Sequence, residues 1–88
     1  MTDCSVTVVN PLGLHARAAA RFVKLAGEFR SHIKVARGNR ITDGKSILGL
    51  LLLAAARGTR LIVSADGPDE SAAISALCAL VERGFEES

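Results

Sequence analysis

Asn10-Pro11-Leu12-Gly13-Leu14-His15-Ala16-Arg17 marks a change of period in the chain. Before it, Cys4, Val6 and Val8 alternate with Ser5, Thr7 and Val9, the period of two of a half-buried strand. After it, Ala16, Ala19, Ala20, Val23 and Ala26 recur at helical spacing, and Arg17, Arg21, Lys24 and Glu28 share the opposite face. The stretch thus predicts a strand, a tight turn through Pro11 and Gly13, and a helix beginning at or beside His15. Backbone N–H groups at a helix start lack intrahelical acceptors and carry the positive end of the helix dipole. That field opposes a cation on the His15 ring and favours an anion beside it, phosphate being the usual guest. Arg17 adds a permanent cation whose fork matches phosphate oxygens. The backbone of Ala16, Arg17 and Ala18 completes a set of donors suited to a phosphoryl group carried on His15. The plainer alternative is a surface histidine beside a solvated basic face.

Working outward, the helix pattern runs out at Gly27, placed to adopt a left-handed C-terminal conformation. Phe29 is expected to fold back onto the core. Ile33 and Val35 alternate with His32, Lys34 and Ala36 in a second strand, and no role is assigned to His32. Gly38-Asn39 is a hairpin signal, and Arg40-Ile41-Thr42 supplies a third strand. Ser46 is placed to cap a helix over Ile47 to Ala56, whose side chains are free of charge until Arg57 and which Gly58 ends. A helix apolar all round cannot be wholly buried in so small a chain, so Ile47, Leu48 and Leu51 form a candidate docking surface. A fourth strand over Thr59 to Ala65 turns inward Leu61, Val63 and Ala65. Asp69 is expected to cap a last helix with the seam Ala73, Leu77, Leu80 and Val81, which Gly84 and Phe85 close. The tail Glu86-Glu87-Ser88 is expected to fray. The order β-α-β-β-α-β-α implies an α+β fold, a mostly antiparallel four-stranded sheet covered on one face by three helices.

Composition sets bounds. Eighty-eight residues read as one domain spanning 1–88, which buries roughly 60% of its unfolded surface and encloses no large chamber. Hydrophobic residues make up 49%, so the chain is globular, while three Phe and no Trp or Tyr leave no aromatic platform for single-stranded nucleic acid. The net charge of +2 hides a division. Residues 1–60 carry ten Lys/Arg against three acids, and residues 61–88 carry Arg83 against six. The basic part holds both candidate sites, so an acidic protein surface is the expected partner; a basic nucleic-acid-binding domain is the rival, without a motif to support it. Cys4 and Cys78 lack metal spacing and read as small buried hydrophobes with reduced thiols. No basic-then-apolar signal precedes the first strand, and no apolar run could span a bilayer, so a cytoplasmic location without membrane insertion is expected.

Gly44-Lys45-Ser46 also matches the end of a nucleotide-binding loop, but the required first glycine falls on Asn39, and the stretch does not open a nucleotide-binding α/β unit.

Gly13-Leu14-His15-Ala16-Arg17-Ala18-Ala19 resembles the active-site signature of the HPr phosphocarriers of the bacterial phosphoenolpyruvate phosphotransferase system, with Ala18 where the family usually has proline. Gly44-Lys45-Ser46-Ile47-Leu48-Gly49-Leu50 resembles the second signature. Ala54-Ala55-Ala56-Arg57-Gly58-Thr59 and Asp66-Gly67-Pro68-Asp69-Glu70 resemble the nitrogen-related branch, the NPr proteins. The resemblance implies an open-faced α/β sandwich acting as a monomer without metal or cofactor. It implies that His15 takes a phosphoryl group at Nδ1 from an enzyme I-type protein, with Arg17 stabilising it, and passes it to an enzyme IIA-type protein. Such a chain is a relay member rather than a stand-alone enzyme. The resemblance further implies that a kinase/phosphorylase of the family can act on Ser46, placing about −1.5 to −2 charges beside a surface meant for an acidic partner. The alternative is a regulatory module read by a kinase or transcription factor.

Overall fold

A computed structural model describes residues 1–86. The elements are β1 (Thr2–Thr7), α1 (Ala16–Ala26), β2 (His32–Arg37), β3 (Arg40–Asp43), α2 (Ile47–Leu52), β4 (Arg60–Asp66) and α3 (Glu70–Glu82), followed by a 3-10 turn at Gly84–Glu86. The strands form one sheet in the order β1-β4-β2-β3, and all three pairings are antiparallel. Gly38 and Asn39 make the two-residue turn between Arg37 and Arg40, with Gly38 at φ +57, the conformation a tight hairpin demands.

Register decides which face is covered. Val6 lies opposite Leu61, Cys4 opposite Val63, Ile33 opposite Ala65 and Val35 opposite Val63. These side chains share one face; all but the half-buried Cys4 are fully buried, while Ser5, His32, Lys34 and Ile62 stand exposed on the other. The helices cover the apolar face: Ala73, Ile74, Leu77, Leu80 and Val81 of α3 and Phe22 of α1 complete the core with Phe85, which is fully buried after Gly84 turns through φ +67. Phe29 packs at its edge as expected.

Several local expectations are corrected. On α1 the buried stripe is Ala18, Ala19, Phe22 and Ala26, whereas Ala16 and Ala20 are exposed and Val23 is half-buried. Phe22 has the most apolar surface to hide, and the helix turns that residue inward while leaving small alanines outside. Gly27 is right-handed, at φ −66, and the chain continues in ordinary turns to Phe29. The second helix ends at Leu52, with Leu53 as C-cap, because Ala54 takes φ +51 and the chain then leaves the helix to run beside the loop that precedes α1, Ala55 accepting Leu14 N–H and Gly58 donating to Val8. Gly58, at φ +90, belongs to the turn into β4 and not to a helix end. Asp69 occupies the N-cap position of α3 without capping it. Its carboxylate instead accepts the N–H groups of Arg30 and Ser31 and the Ser31 hydroxyl, tying the α1–β2 loop to α3.

The cysteines are not separate buried thiols. Cys4 on β1 and Cys78 on α3 are joined in a disulfide, because the register turns Cys4 toward the helix that lies over the edge strand. Beside it the N-terminal amine meets the Glu70 carboxylate at 3.1 Å, and Thr2 donates to the same group. Among the described residues, no helix is long and apolar enough to cross a membrane. Glu86 closes the last turn; Glu87 and Ser88, for which fraying was expected, lie outside the described residues.

Hydrogen bonds hold the Asp69 carboxyl below its ordinary value of 3.8, the Ser31 hydroxyl contributing most and the Arg30 N–H next. The folded form thus resists protonation that the unfolded chain accepts. Its contribution to stability is complete above the unfolded value and is lost as pH falls through the lower folded one. Asp69→Asn should flatten the decline of stability below about pH 4, measured by urea midpoints at successive pH values. An acid limb identical to the parent's would show that the carboxylate does not drive it.

Candidate functional site

The site is assembled where two irregular segments lie side by side at one end of the sheet. Val8 N–H donates to the Thr59 carbonyl at 2.9 Å, Gly58 N–H returns a bond to Val8 at 2.7 Å, and Leu14 N–H donates to Ala55 at 2.9 Å. Asn10, 3% exposed, brackets the turn between them. Its carbonyl accepts Gly13 N–H at 3.0 Å and its side-chain amide donates to the Gly13 carbonyl at 2.7 Å. Gly13 itself sits at φ +66, and a Cβ there would meet the Ala55 carbonyl oxygen at 2.5 Å. No other residue satisfies both the backbone angle and the close approach.

Leu14 is buried beneath this turn, and the next residue emerges half-exposed as the N-cap of α1. His15 has extended backbone angles, and its carbonyl accepts Ala19 N–H at 2.8 Å, the first full turn of the helix. The N–H groups of Ala16, Arg17 and Ala18 therefore precede the helical ladder. Of these, Arg17 N–H points at the His15 ring and donates to Nδ1 at 3.3 Å. A nitrogen that accepts a hydrogen bond presents its lone pair and carries no proton, so in this geometry the ring proton belongs on Nε2. The Nδ1 lone pair, the Arg17 amide and the positive helix end thus meet at one place.

The Arg17 side chain is exposed and, among the described residues, makes no hydrogen bond or ion pair. Its guanidinium extends from the same residue whose backbone N–H meets the His15 ring. Ala18 is fully buried, so its side chain packs the helix start inward. Surface recesses of about 400 and 300 Å³ lie on the open sheet face around His32 and Lys34, and one of about 350 Å³ lies between α1 and α3 at Arg21, Leu25 and Leu80. His15 stands instead on open surface. Among the described residues no cluster of three His, Cys, Asp or Glu side chains is placed to hold a metal ion.

Such a half-exposed imidazole at a helix start suits a group handed directly from one protein to another. Comparison with known proteins agrees. The family model described as "PTS HPr component phosphorylation site" matches residues 2–83. The chain belongs to the HPr family. As an HPr-family protein it is a phosphocarrier of the phosphoenolpyruvate phosphotransferase system, and the family's proteins interact with the enzymes of that system. It is 46% identical to the phosphocarrier protein HPr of Cupriavidus necator over 87 residues, covering 99% of this chain and 98% of the relative. It is 42% identical to the phosphocarrier protein NPr of Shewanella violacea, covering 94% and 91%, which is consistent with the nitrogen-branch features. The crystal structure of an HPr from Thermoanaerobacter tengcongensis superimposes with a TM-score of 0.95 at 41% identity, covering 100% of this chain and 99% of that one.

The second candidate lies at α2. Ser46 is the N-cap as predicted, its hydroxyl accepting Gly49 N–H at 3.0 Å. Ile47 is 43% and Leu48 67% exposed, whereas Leu51 is half-buried against the core, and Leu52, at 62%, joins the exposed apolar face unforeseen. Leu12, 73% exposed on the turn before His15, is a further apolar residue that sequence reasoning missed. It also gave no role to Asn10 or Ala55. Asn10 could be suspected as a turn residue, but nothing in a run of alanines signals that Ala55 holds the turn. Gly13→Ala should cost about 2 kcal/mol through strain and contact with Ala55, lowering Tm by roughly 8–16 °C. An unchanged melting curve would mean that the two segments part without penalty.

Proposed function

We propose that His15 is the phosphoryl acceptor, taking the group at Nδ1 from a phosphohistidine of an enzyme I-type protein charged by phosphoenolpyruvate. The observation that carries this reading is the His15 N-cap geometry, with Nδ1 turned toward Arg17 N–H. The Nδ1 lone pair forms the new P–N bond, and the electrons of the donor's P–N bond return to the donor imidazole. Arg17 N–H, released from the ring nitrogen, turns to a phosphate oxygen, with the amides of Ala16 and Ala18 beside it. The Arg17 guanidinium approaches from solvent. Reversing the steps passes the group to a histidine of an enzyme IIA-type protein. Each step exchanges one P–N bond for another, which suits a carrier that acts as a monomer and turns over only with its partners.

The predicted product is an acid-labile, base-stable phosphoprotein formed with phosphoenolpyruvate and enzyme I. His15→Ala should abolish it, and Arg17→Ala should slow its formation while leaving it possible, because the backbone donors remain. Label that persists in His15→Ala, or that resists acid, would sink the assignment in favour of a regulatory module.

Docking is proposed over Ile47, Leu48 and Leu51, with Ser46 at its edge as the target of a kinase/phosphorylase. Phosphate there would add charge opposed to an acidic partner. Leu48→Glu should slow phosphoryl transfer while shifting stability by no more than about 0.5 kcal/mol, since Leu48 is exposed. Ser46→Asp, which can still cap, should also slow it. Unfolding of the first variant would make Leu48 a core residue; full transfer rates in both would remove α2 from the docking surface.

A further inference from the structure

The strand ends of the sheet are sorted by charge. At one end the terminal residues of the four strands are Thr7, Arg60, Arg37 and Arg40; at the other they are Thr2, Asp66, His32 and Asp43. Arg37 and Arg40 lie directly opposite one another, a like-charge pair that opposes hairpin formation unless something anionic meets it. Arg60 follows in the adjacent strand, two residues beyond the Ile62–Ala36 pair. Among the described residues no carboxylate lies within ion-pair distance of any of the three. Arg40 donates to the Leu52 carbonyl at 3.1 Å, which is uncharged, and the buried Nε of Arg37 has no hydrogen-bond partner. Arg40 and Arg60 are exposed.

This end of the sheet is also the end from which the His15 loop departs after Thr7 and which the Ala55–Gly58 segment, with the exposed Arg57, enters. We infer that Arg37, Arg40 and Arg60 extend the phosphoryl-transfer face to the sheet end and engage an acidic surface of the protein that charges His15. The inference rests on the enzyme I-type reading of the donor. Charge complementarity supplies the reason: an uncompensated cationic end, continuous with a site that receives a dianionic group, steers and orients an acidic partner.

Binding to unphosphorylated enzyme I, measured calorimetrically without phosphoenolpyruvate, tests this without relying on transfer. Arg60→Glu is expected to weaken binding about fivefold at low salt, and the loss should shrink as salt rises. Lys34→Glu, the same charge change on an exposed residue toward the other end of the sheet, should change affinity less than twofold. Circular dichroism melting should show both variants folded; if Arg60→Glu is unfolded, Arg40→Gln takes its place. Equal losses in the two variants would reduce the effect to net charge and overturn the assignment, as would no loss in either. Failure of the parent chain to bind enzyme I overturns it too. Binding of short duplex DNA more tightly than enzyme I, lost in Arg60→Glu, would overturn it in favour of nucleic acid. Binding that follows this pattern with no phosphate reaching His15 would leave the arginine surface standing and remove only the His15 reading.

Discussion

The approach of Gly13 to the backbone of Ala55 is the contact on which the functional end of the molecule depends. A left-handed glycine allows the strand β1 to reverse, and the Leu14–Ala55 hydrogen bond fixes where the reversal ends. Leu14 is buried there, so the next residue must emerge at the surface as the cap of α1. The position of His15 is thus set by backbone bonds between distant segments, and its ring needs only the local bond from Arg17 N–H to be aimed. The reciprocal cost sits in Ala54, held at φ +51 without a glycine's freedom, so that the following residue can present its carbonyl.

A surface built this way has no enclosed cavity, and the chain is too short to form one. Its electrostatics are those that any helix start provides, with the exposed Arg17 beside it. An open site exchanges strong preorganisation for access from either of two protein surfaces. That trade fits a protein that receives and surrenders the same group by the same chemistry. The apolar residues Leu12, Ile47, Leu48 and Leu52 left uncovered follow from the same need, since a surface that must release its partner cannot be permanently buried.

The opposite side of the fold is tied more firmly. The Cys4–Cys78 bond, the amine–Glu70 pair and the Thr2 hydroxyl bond fasten β1, an edge strand, to α3. The Asp69 carboxylate fastens the α1–β2 loop to the start of the same helix. The Arg21 guanidinium donates to the Phe85 carbonyl at 2.6 Å, joining α1 to the final turn. Polar contacts across the core's rim thus hold the helices in register over a sheet whose interior is aliphatic.

Periodicity was enough to place the strands and the first and last helices, because alternation along a strand and the 3.6-residue repeat of a helix are local properties. It also put His15 at a helix start and Ser46 at a cap, since capping is decided within a few residues. Several features depended on contacts between segments far apart in the chain. Phe22 rather than Ala20 faces inward because the core, not the helix, selects the buried stripe. The alanine run 54–56 is helical by propensity but irregular in the fold, where Ala54 is left-handed and the Ala55 carbonyl is taken by the loop before His15. Asp69 has the residue type and position of a cap, yet its oxygens go to Arg30 and Ser31, which tertiary packing brings within reach. Cys4 and Cys78 meet only because strand register and helix placement coincide. By itself the sequence determined the order of the elements and the placing of a histidine at a helix start, these being short-range matters of pattern and side-chain type. The tertiary structure alone decided how the turn before His15 is held and where that residue emerges, because those bonds close between residues some 40 positions apart.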